Sequence, residues 1–349
     1  MFATILRLCS FHKINCYVAI YKNCICIAIL FLRNLSQKKE EIEIVKTTKY
    51  YTAAITAYTV WGFFSLVLRP IHDYQSLDIL FFRVFSCSIL MLLIAFLFKR
   101  SKIKETVGSF AALSSSEKKK AVLLNISGSF FLMTNWFTYI YVMNHVSVKA
   151  TSLAYLVCPI LTTLLAYFLL SEKLAKTQWL AVGLSILGCL MLSYADIMDM
   201  FFSIIIGLTY ASYLVSQRIN KGFDKFIVLT FHITLAALVL LPFYPAYSGP
   251  VPTEFKFYFC IETIAIAFTI IPLFLNLYAL SGLPSSTVGM LLNINPMIAF
   301  MLAAFVFKEK ISTLQIAAYS IIFIAVLVFN SYHIFAIRQK YILSSKDSQ

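Results

Sequence analysis

Residues 155–178 read YLVCPILTTLLAYFLLSEKLAKTQ, and residues 292–315 read LNINPMIAFMLAAFVFKEKISTLQ. The two stretches align without a gap at an offset of 137 residues. The alignment pairs Pro159 with Pro296, Glu172 with Glu309, Lys173 with Lys310 and Gln178 with Gln315. Chance rarely places a proline, a Glu-Lys pair and a glutamine at one ungapped offset, so the chain contains an internal repeat.

The composition predicts the environment of this repeat. Of the 349 residues, 60% are hydrophobic and only 13% are charged, whereas a soluble domain has roughly half and roughly a quarter. A chain so poor in charge cannot cover its apolar side chains in water, which predicts a membrane protein and excludes a soluble globular fold. The net charge of +14 sits in short strings between apolar runs, so no nucleic-acid partner is predicted.

The apolar runs have the length of transmembrane helices, about 20 residues each. In lipid such a segment satisfies its backbone polar groups only as a helix. Ten runs are predicted to span the bilayer: residues 50–69, 77–98, 121–143, 149–170, 178–195, 200–217, 226–244, 257–280, 287–307 and 314–336. The predicted fold is therefore an all-α membrane protein with ten transmembrane helices. Ser114 and Glu117 have capping-box spacing, which predicts a helix start before the third run.

Five predicted spans separate the two copies of the repeat, and an odd number reverses the direction of the second copy through the bilayer. The predicted domains are thus two inverted five-helix repeats, residues 50–196 and 197–340, followed by a cytoplasmic tail, 341–349. Residues 1–49 are predicted to be an N-terminal extension and linker. Two interpretations of residues 1–48 stay open: translation from upstream of the native start, and an accessory membrane helix.

The distribution of basic residues predicts the orientation, because Lys and Arg of short loops stay on the cytoplasmic side. With the linker inside, the inner side carries 19 Lys and Arg residues and the outer side carries five. The outer five are Arg69, Lys149, Lys256, Lys308 and Lys310. Both ends of the ten-helix body are therefore predicted to be cytoplasmic.

Three ionisable side chains inside the spans are candidates for gating or coupling: Arg83, His232 and Glu262. Each is costly in lipid, so each is expected to face the bundle interior, water or a partner. Arg83 and Glu262 lie at similar depth, about 6–9 Å from the outer face at 1.5 Å per residue. Their pairing across the halves competes with separate snorkelling to the interface. His232 is interpreted either as a hydrogen-bonded helix residue or as a proton relay.

Neutral polar and aromatic side chains give a candidate substrate cavity, because ligand sites combine aromatic walls with a few polar groups. The candidates are Trp61, Asn135, Trp136, Tyr139, Tyr155, Tyr210, Asn276, Asn293 and Asn295. An amide serves equally well to join helices, so each Asn keeps that alternative. Pro159 and Pro296 are predicted to break their helices, since proline frees a backbone carbonyl. A packing kink and a substrate contact are the two interpretations of each break.

A family resemblance is carried by Tyr58-x-x-Trp61-Gly62, Arg83-Val84, Asn135-Trp136 and the repeated Pro and Glu-Lys motifs. Over about residues 50–338 the chain resembles the drug/metabolite transporter superfamily with its EamA-type repeats, and within it the RarD group. The resemblance implies a ten-helix inner-membrane carrier that exports small metabolites or drugs. The chain departs from the group at Cys158, where an Asn more often precedes the proline, and residues 1–48 have no counterpart.

These observations predict a secondary transporter, expected to export small amphipathic metabolites or drugs by alternating access. The alternative is a membrane sensor, receptor or scaffold without transport. The sequence contains neither HExxH nor a phosphate loop, so neither an enzyme nor an ATPase subunit is expected. No catalytic residue and no cofactor are predicted. No metal site is predicted either, because the Cys24-x-Cys26 pair lacks zinc-site spacing. The predicted partners are the lipid bilayer and the substrate, and a homodimer stays open.

Overall fold

The computed structural model describes residues 47–193, 197–308 and 311–346. The chain divides into two compact units, one comprising Lys49–Phe335 and the other residues 1–48 and 336–349. The described part of the second unit is limited to residues 47–48 and 336–346. The described residues form helices and no strand, which agrees with the predicted all-α class.

Eleven helices occur in the described part of the chain. They are α1 Thr47–Ile71, α2 Ser76–Phe98, α3 Arg100–Ala111, α4 Ser115–His145, α5 Val148–Leu170, α6 Lys176–Ser193, α7 Ile197–Ile219, α8 Lys225–Tyr247, α9 Phe255–Gly282, α10 Ser285–Phe305 and α11 Thr313–Lys346. A π-helical turn, Ile266–Ile270, lies inside α9. The first piece of α10 ends at Leu291 and its second piece begins at Ile294.

Eight of these helices are long and apolar enough to cross a membrane: α1, α2, α5, α7, α8, α9, α10 and α11. The sequence predicted ten. Of the two remaining predicted spans, α4 has 31 residues, and its first six residues include a run of three lysines, Lys118–Lys120. The apolar part of α6, Lys176–Leu192, is shorter than the eight.

The segment between the second and third predicted spans contains a helix that the sequence did not predict. Helix α3 has 12 residues, and its Ile103 packs against the main hydrophobic core. Its apolar positions are interspersed with Arg100, Lys102 and Lys104, so no apolar run marks it. The predicted capping box follows: Glu117 N donates to Ser114 Oγ, and Ser114 N donates to Glu117 Oε2 at 2.9 Å.

Two glycines allow α10 to approach α1 and α5 closely. A Cβ at Gly62 would lie 2.6 Å from Ile298 Cβ, and a Cβ at Gly289 would lie 2.7 Å from Thr162 Cβ. Both distances are shorter than real Cβ contacts, so any larger residue would push the helices apart. These contacts place α10, from the second copy of the repeat, against two helices of the first copy.

Local geometry recurs at the offset of 137 residues. Ser171 and Lys308 both have positive φ, 54° and 52°, and they are the non-glycine residues of this kind among the described residues. The Gln178 and Gln315 side chains each accept a hydrogen bond from the backbone N–H three residues earlier, at 3.0 and 2.9 Å. The sequence repeat therefore corresponds to a repeat of backbone conformation and helix capping.

Candidate functional site

A buried chain of hydrogen bonds joins α1, α9 and α7. The Tyr58 hydroxyl donates to Asn276 Oδ1 at 2.8 Å, and Asn276 Nδ2 donates to the Tyr210 hydroxyl at 2.9 Å. Tyr58 and Asn276 are fully buried and Tyr210 is 5% exposed. Because buried polar groups are costly without partners, these three side chains fix how the three helices pack. We call them the tyrosine–asparagine clasp.

Trp61 makes a second link between α1 and α9. Its indole Nε1 donates to the backbone carbonyl of Phe268 at 2.7 Å. Pro272 follows Phe268 by four residues and has no N–H, so the donor that an α-helix would offer this carbonyl is missing. The carbonyl also lies in the π-helical turn, a feature that is frequent at functional sites. The indole therefore supplies a donor to a carbonyl that lacks its α-helical one.

We expect the Trp61→Phe variant to lose about 1–3 kcal/mol of stability, because the Phe268 carbonyl loses its donor. Thermal unfolding of the purified protein in detergent measures the loss. Adding Pro272→Ala supplies an N–H within reach of that carbonyl, so the double variant should recover part of the loss. Trp179→Phe is the matched control, since Trp179 lies on α6 and is 39% exposed. Equal effects of Trp61→Phe and Trp179→Phe would contradict the assignment.

Arg83 lies on α2 and has an aromatic neighbour, Trp136, on α4. Its guanidinium carbon lies 5.1 Å from the centre of the Trp136 ring, within cation–π distance. Tyr139 packs against the same hydrophobic cluster as Trp136, and the ring centres of Tyr139 and Tyr155 are 5.7 Å apart. We call Arg83, Trp136, Tyr139 and Tyr155 the arginine–aromatic cluster. It brings together four residues that the sequence singled out.

Glu262, the other candidate gate residue, has a different partner. Its carboxylate accepts a hydrogen bond from Ser86 Oγ, one helical turn after Arg83 on α2. Glu262 itself is exposed. In the described part of the chain Arg83 makes no ion pair, so the structure does not bring the two charges together.

His232 occupies a separate buried position on α8. Neither ring nitrogen has a hydrogen-bond partner, and the ring stands edge-on to Tyr213 with centres 5.8 Å apart. Its backbone carbonyl accepts from Ser129 Oγ at 2.9 Å. A Cβ at Gly128 would lie 3.1 Å from His232 Nε2, so the glycine makes room for the imidazole.

The other predicted asparagines have different surroundings. Asn135 Nδ2 donates to Ile206 O at 2.9 Å and to Thr209 Oγ1 at 3.2 Å, so it joins α4 to α7. Asn293 Nδ2 donates to Met290 O in its own helix, whereas its Oδ1 is buried without a partner. Asn295 is half-buried. The amides are thus divided between helix packing and positions with unused hydrogen-bonding groups.

The two repeated prolines have unequal effects. Pro159 lies inside α5, which continues from Val148 to Leu170. Pro296 follows the interruption of α10, and Asn295 N donates to the Leu292 carbonyl that a residue at position 296 would otherwise bond. The expected break is therefore seen before Pro296, whereas the helix passes through Pro159.

Glu172 makes a link that the sequence marked only as part of the repeat. It follows α5 and accepts hydrogen bonds from Ser285 N at 2.7 Å, Ser286 N at 3.1 Å and Ser286 Oγ at 2.6 Å. The positive φ of Ser171 turns the chain just before it. Its repeat partner, Glu309, lies outside the described residues. An identical acid at the end of both copies was the available signal for such a contact.

No group of three or more His, Cys, Asp or Glu side chains able to hold a metal ion occurs within the described ranges.

Comparison with known proteins supports a transporter. A model of the EamA-like transporter family matches residues 48–194 and 197–331. The chain is 26% identical over 285 residues to an uncharacterized transporter, YojE, of Bacillus subtilis (strain 168), which covers 80% of this chain and 92% of that protein. It is 24% identical over 283 residues to Protein RarD of Escherichia coli (strain K12), covering 79% and 92%.

The chain is also similar to a second RarD protein and to a solved structure. Protein RarD of Streptomyces exfoliatus is 25% identical over 284 residues, covering 78% of this chain and 85% of that protein. A crystal structure aligns with a TM-score of 0.62 at 13% identity, over 80% of this chain and 96% of that one. At that identity the likeness shows the fold alone. The matches and the eight apolar helices together show a multi-pass membrane protein.

Proposed function

Because the chain belongs to the EamA-like transporter family, we propose that it is a secondary transporter that exports small amphipathic metabolites or drugs across the inner membrane. The observation that carries the proposal is the polar contact between the two matched ranges. Tyr58 and Trp61 of the first range bond Asn276 and Phe268 of the second. Transporters built from two repeats hold their substrates at such a junction.

The proposed architecture has ten transmembrane helices in two inverted repeats. Helices α4 and α6 complete the ten with the eight helices that are long and apolar enough to cross a membrane. The two matched ranges and the recurring geometry at Ser171 and Lys308 support a repeat. The equivalent helices α5 and α10 are offset by five helices, and an odd offset supports inversion of the second copy. The basic loops then lie in the cytoplasm, together with both ends of the helical body.

In the proposed mechanism the two halves rock about the substrate and open alternately to each side. The described contacts between the halves are hydrogen bonds and apolar packing, which can form and separate without covalent chemistry. Glu172 and the serines at the start of α10 join the halves at one end of the bundle. The tyrosine–asparagine clasp and Trp61 join them further inside.

Counterflow in liposomes tests the proposal. The full chain is reconstituted into liposomes. The liposomes are loaded with each unlabelled solute of a panel of amino acids, nucleobases and amphipathic drugs, and uptake is measured with and without a pH gradient. We expect saturable uptake of the labelled solute that depends on the same solute inside. A response to the pH gradient would indicate proton coupling, and no response would indicate facilitation. Absence of counterflow across the whole panel would favour a sensor, receptor or scaffold instead.

A further inference from the structure

The guanidinium of Arg83 lies in the helical bundle without a hydrogen-bonding or oppositely charged protein partner. Its Nε is buried and unbonded, and across the described ranges the side chain makes neither a hydrogen bond nor an ion pair. The carboxylate of Glu262, the other candidate gate residue, instead accepts a hydrogen bond from Ser86 Oγ. An arginine within a membrane span is expensive, and such residues normally pair or line a substrate path. Arg83 therefore retains unused donors and an uncompensated positive charge.

The side chains around Arg83 have the chemistry of a ligand site. Trp136 lies on one side of the guanidinium at 5.1 Å. Tyr139 packs against the same hydrophobic cluster as Trp136, and the ring centres of Tyr139 and Tyr155 are 5.7 Å apart. All three aromatic residues are half-buried, so the protein does not enclose any of them completely. Three helices, α2, α4 and α5, contribute these residues. The arginine–aromatic cluster thus combines aromatic surfaces with one cationic fork.

We propose that Arg83 binds the carboxylate of the transported solute, which makes the substrates small organic anions with an apolar or aromatic body. The inference rests on the proposed transport function and specifies its substrate class. The planar guanidinium matches a carboxylate with two parallel hydrogen bonds, and these are strong because both groups are charged. The aromatic rings receive the body of the solute. An organic cation meets the unpaired positive charge and is rejected.

Binding is measured separately from transport. The full chain in nanodiscs is titrated with phenylacetate, indole-3-acetate and hexanoate, each beside its neutral amide, by calorimetry. We expect at least one acid to bind more tightly than its amide. Arg83→Gln should weaken binding of that acid by about 10- to 100-fold and leave the amide unchanged. Arg83→Lys keeps the charge but not the fork, so it should weaken binding by a smaller factor.

Arg69→Gln is the matched control. It removes the same charge from an exposed arginine that stacks on Phe307 at 4.0 Å, outside the cluster. It should leave the preference for acid over amide intact, and equal melting temperatures would show that both variants fold.

Counterflow of the same six compounds separates this inference from the proposed function. Arg83-dependent binding of an acid without counterflow would support the anion site and contradict transport. Counterflow of the neutral amides that Arg83→Gln leaves unchanged, with no acid preferred over its amide, would support transport and overturn the anion site. Absence of any acid preference in the binding titrations overturns the inference by itself.

Discussion

Replacing Asn276 by leucine is expected to abolish saturable counterflow and to lower the melting temperature more than any other single change within the clasp. Leucine has the same number and branching of side-chain heavy atoms as asparagine but has no hydrogen-bonding group. The substitution leaves the buried hydroxyls of Tyr58 and Tyr210 without the partners at 2.8 and 2.9 Å that they have now. Each unpaired buried hydroxyl costs about 1–3 kcal/mol. Three helices lose their common contact, so both stability and transport should fall.

A triple variant separates the contribution of the clasp to stability from its contribution to transport. When both partners of a buried hydrogen bond become apolar, the change is nearly neutral, because no polar group is left unpaired. Tyr58→Phe with Asn276→Leu and Tyr210→Phe should therefore regain most of the melting temperature. Counterflow should stay absent if the polar groups contact the solute. A triple variant as unstable as Asn276→Leu alone would contradict the hydrogen-bond explanation.

Asn330→Leu is the control for these measurements. Asn330 is also a buried asparagine, but its Nδ2 donates to Val326 O within its own helix at 2.8 Å. Its loss separates no helices, so the melting temperature and counterflow should stay close to those of the natural sequence. A loss of counterflow as complete as that of Asn276→Leu would show that any buried amide matters equally.

The helices could be predicted because their signal is local. Apolar length and polar breaks are properties of consecutive residues, and the same holds for the capping box at Ser114. Helix α3 could not be predicted in this way, because its lysines and arginine interrupt the apolar positions. The helix depends on contacts such as that of Ile103 with the core, which the local sequence does not specify.

The site could be predicted only as a set of candidates. Polar residues stand out inside apolar spans, which is why Asn276 and Arg83 were found. Their partners are distant in sequence, since Tyr58 is 218 residues from Asn276. Depth alone suggested that Arg83 could pair with Glu262. Depth does not specify which face of a helix meets its neighbour, and Ser86, one turn further along α2, bonds the carboxylate instead.

The repeat predicted two equivalent halves, and the structure shows where they differ. Pro159 and Pro296 align, yet α10 is interrupted before its proline and α5 is continuous. The two prolines have different surroundings. Three residues after Pro159, Thr162 of α5 packs against Gly289 of α10. A comparison of the chain with itself contains no information about such contacts between the copies.

Glu172→Ala is expected to open the end of the bundle where α5 meets α10. The carboxylate now accepts three hydrogen bonds, two of them from backbone N–H groups at the start of α10. Bonds to a charged group contribute about 1.5–3 kcal/mol each. We call the arrangement in which Glu172 bonds Ser285 and Ser286 the closed arrangement. The loss of all three hydrogen bonds should reduce its population relative to the open arrangement by about 100-fold or more, since 1.4 kcal/mol is a factor of ten.

Ser285→Cys reports this opening. The Ser285 side chain is fully buried and its hydroxyl is unbonded, so a thiol at this position replaces no hydrogen bond. In a background with the eight native cysteines replaced, a membrane-impermeant maleimide should label this thiol slowly. Adding Glu172→Ala should accelerate labelling at least ten-fold and reduce counterflow. Glu172→Gln keeps one acceptor oxygen for the N–H groups and should give an intermediate rate.

Glu105→Ala removes the same charge elsewhere, because Glu105 pairs with Lys102 on the exposed surface of α3 at 2.6 Å. It should leave the labelling rate unchanged. If Glu172→Ala labels no faster than this control, the contact is a static cap of α10. Faster labelling together with lost counterflow would mean that the closed arrangement is a required state of the cycle. In that case the acid that marks the repeat in the sequence stabilises one of the two states between which the transporter alternates.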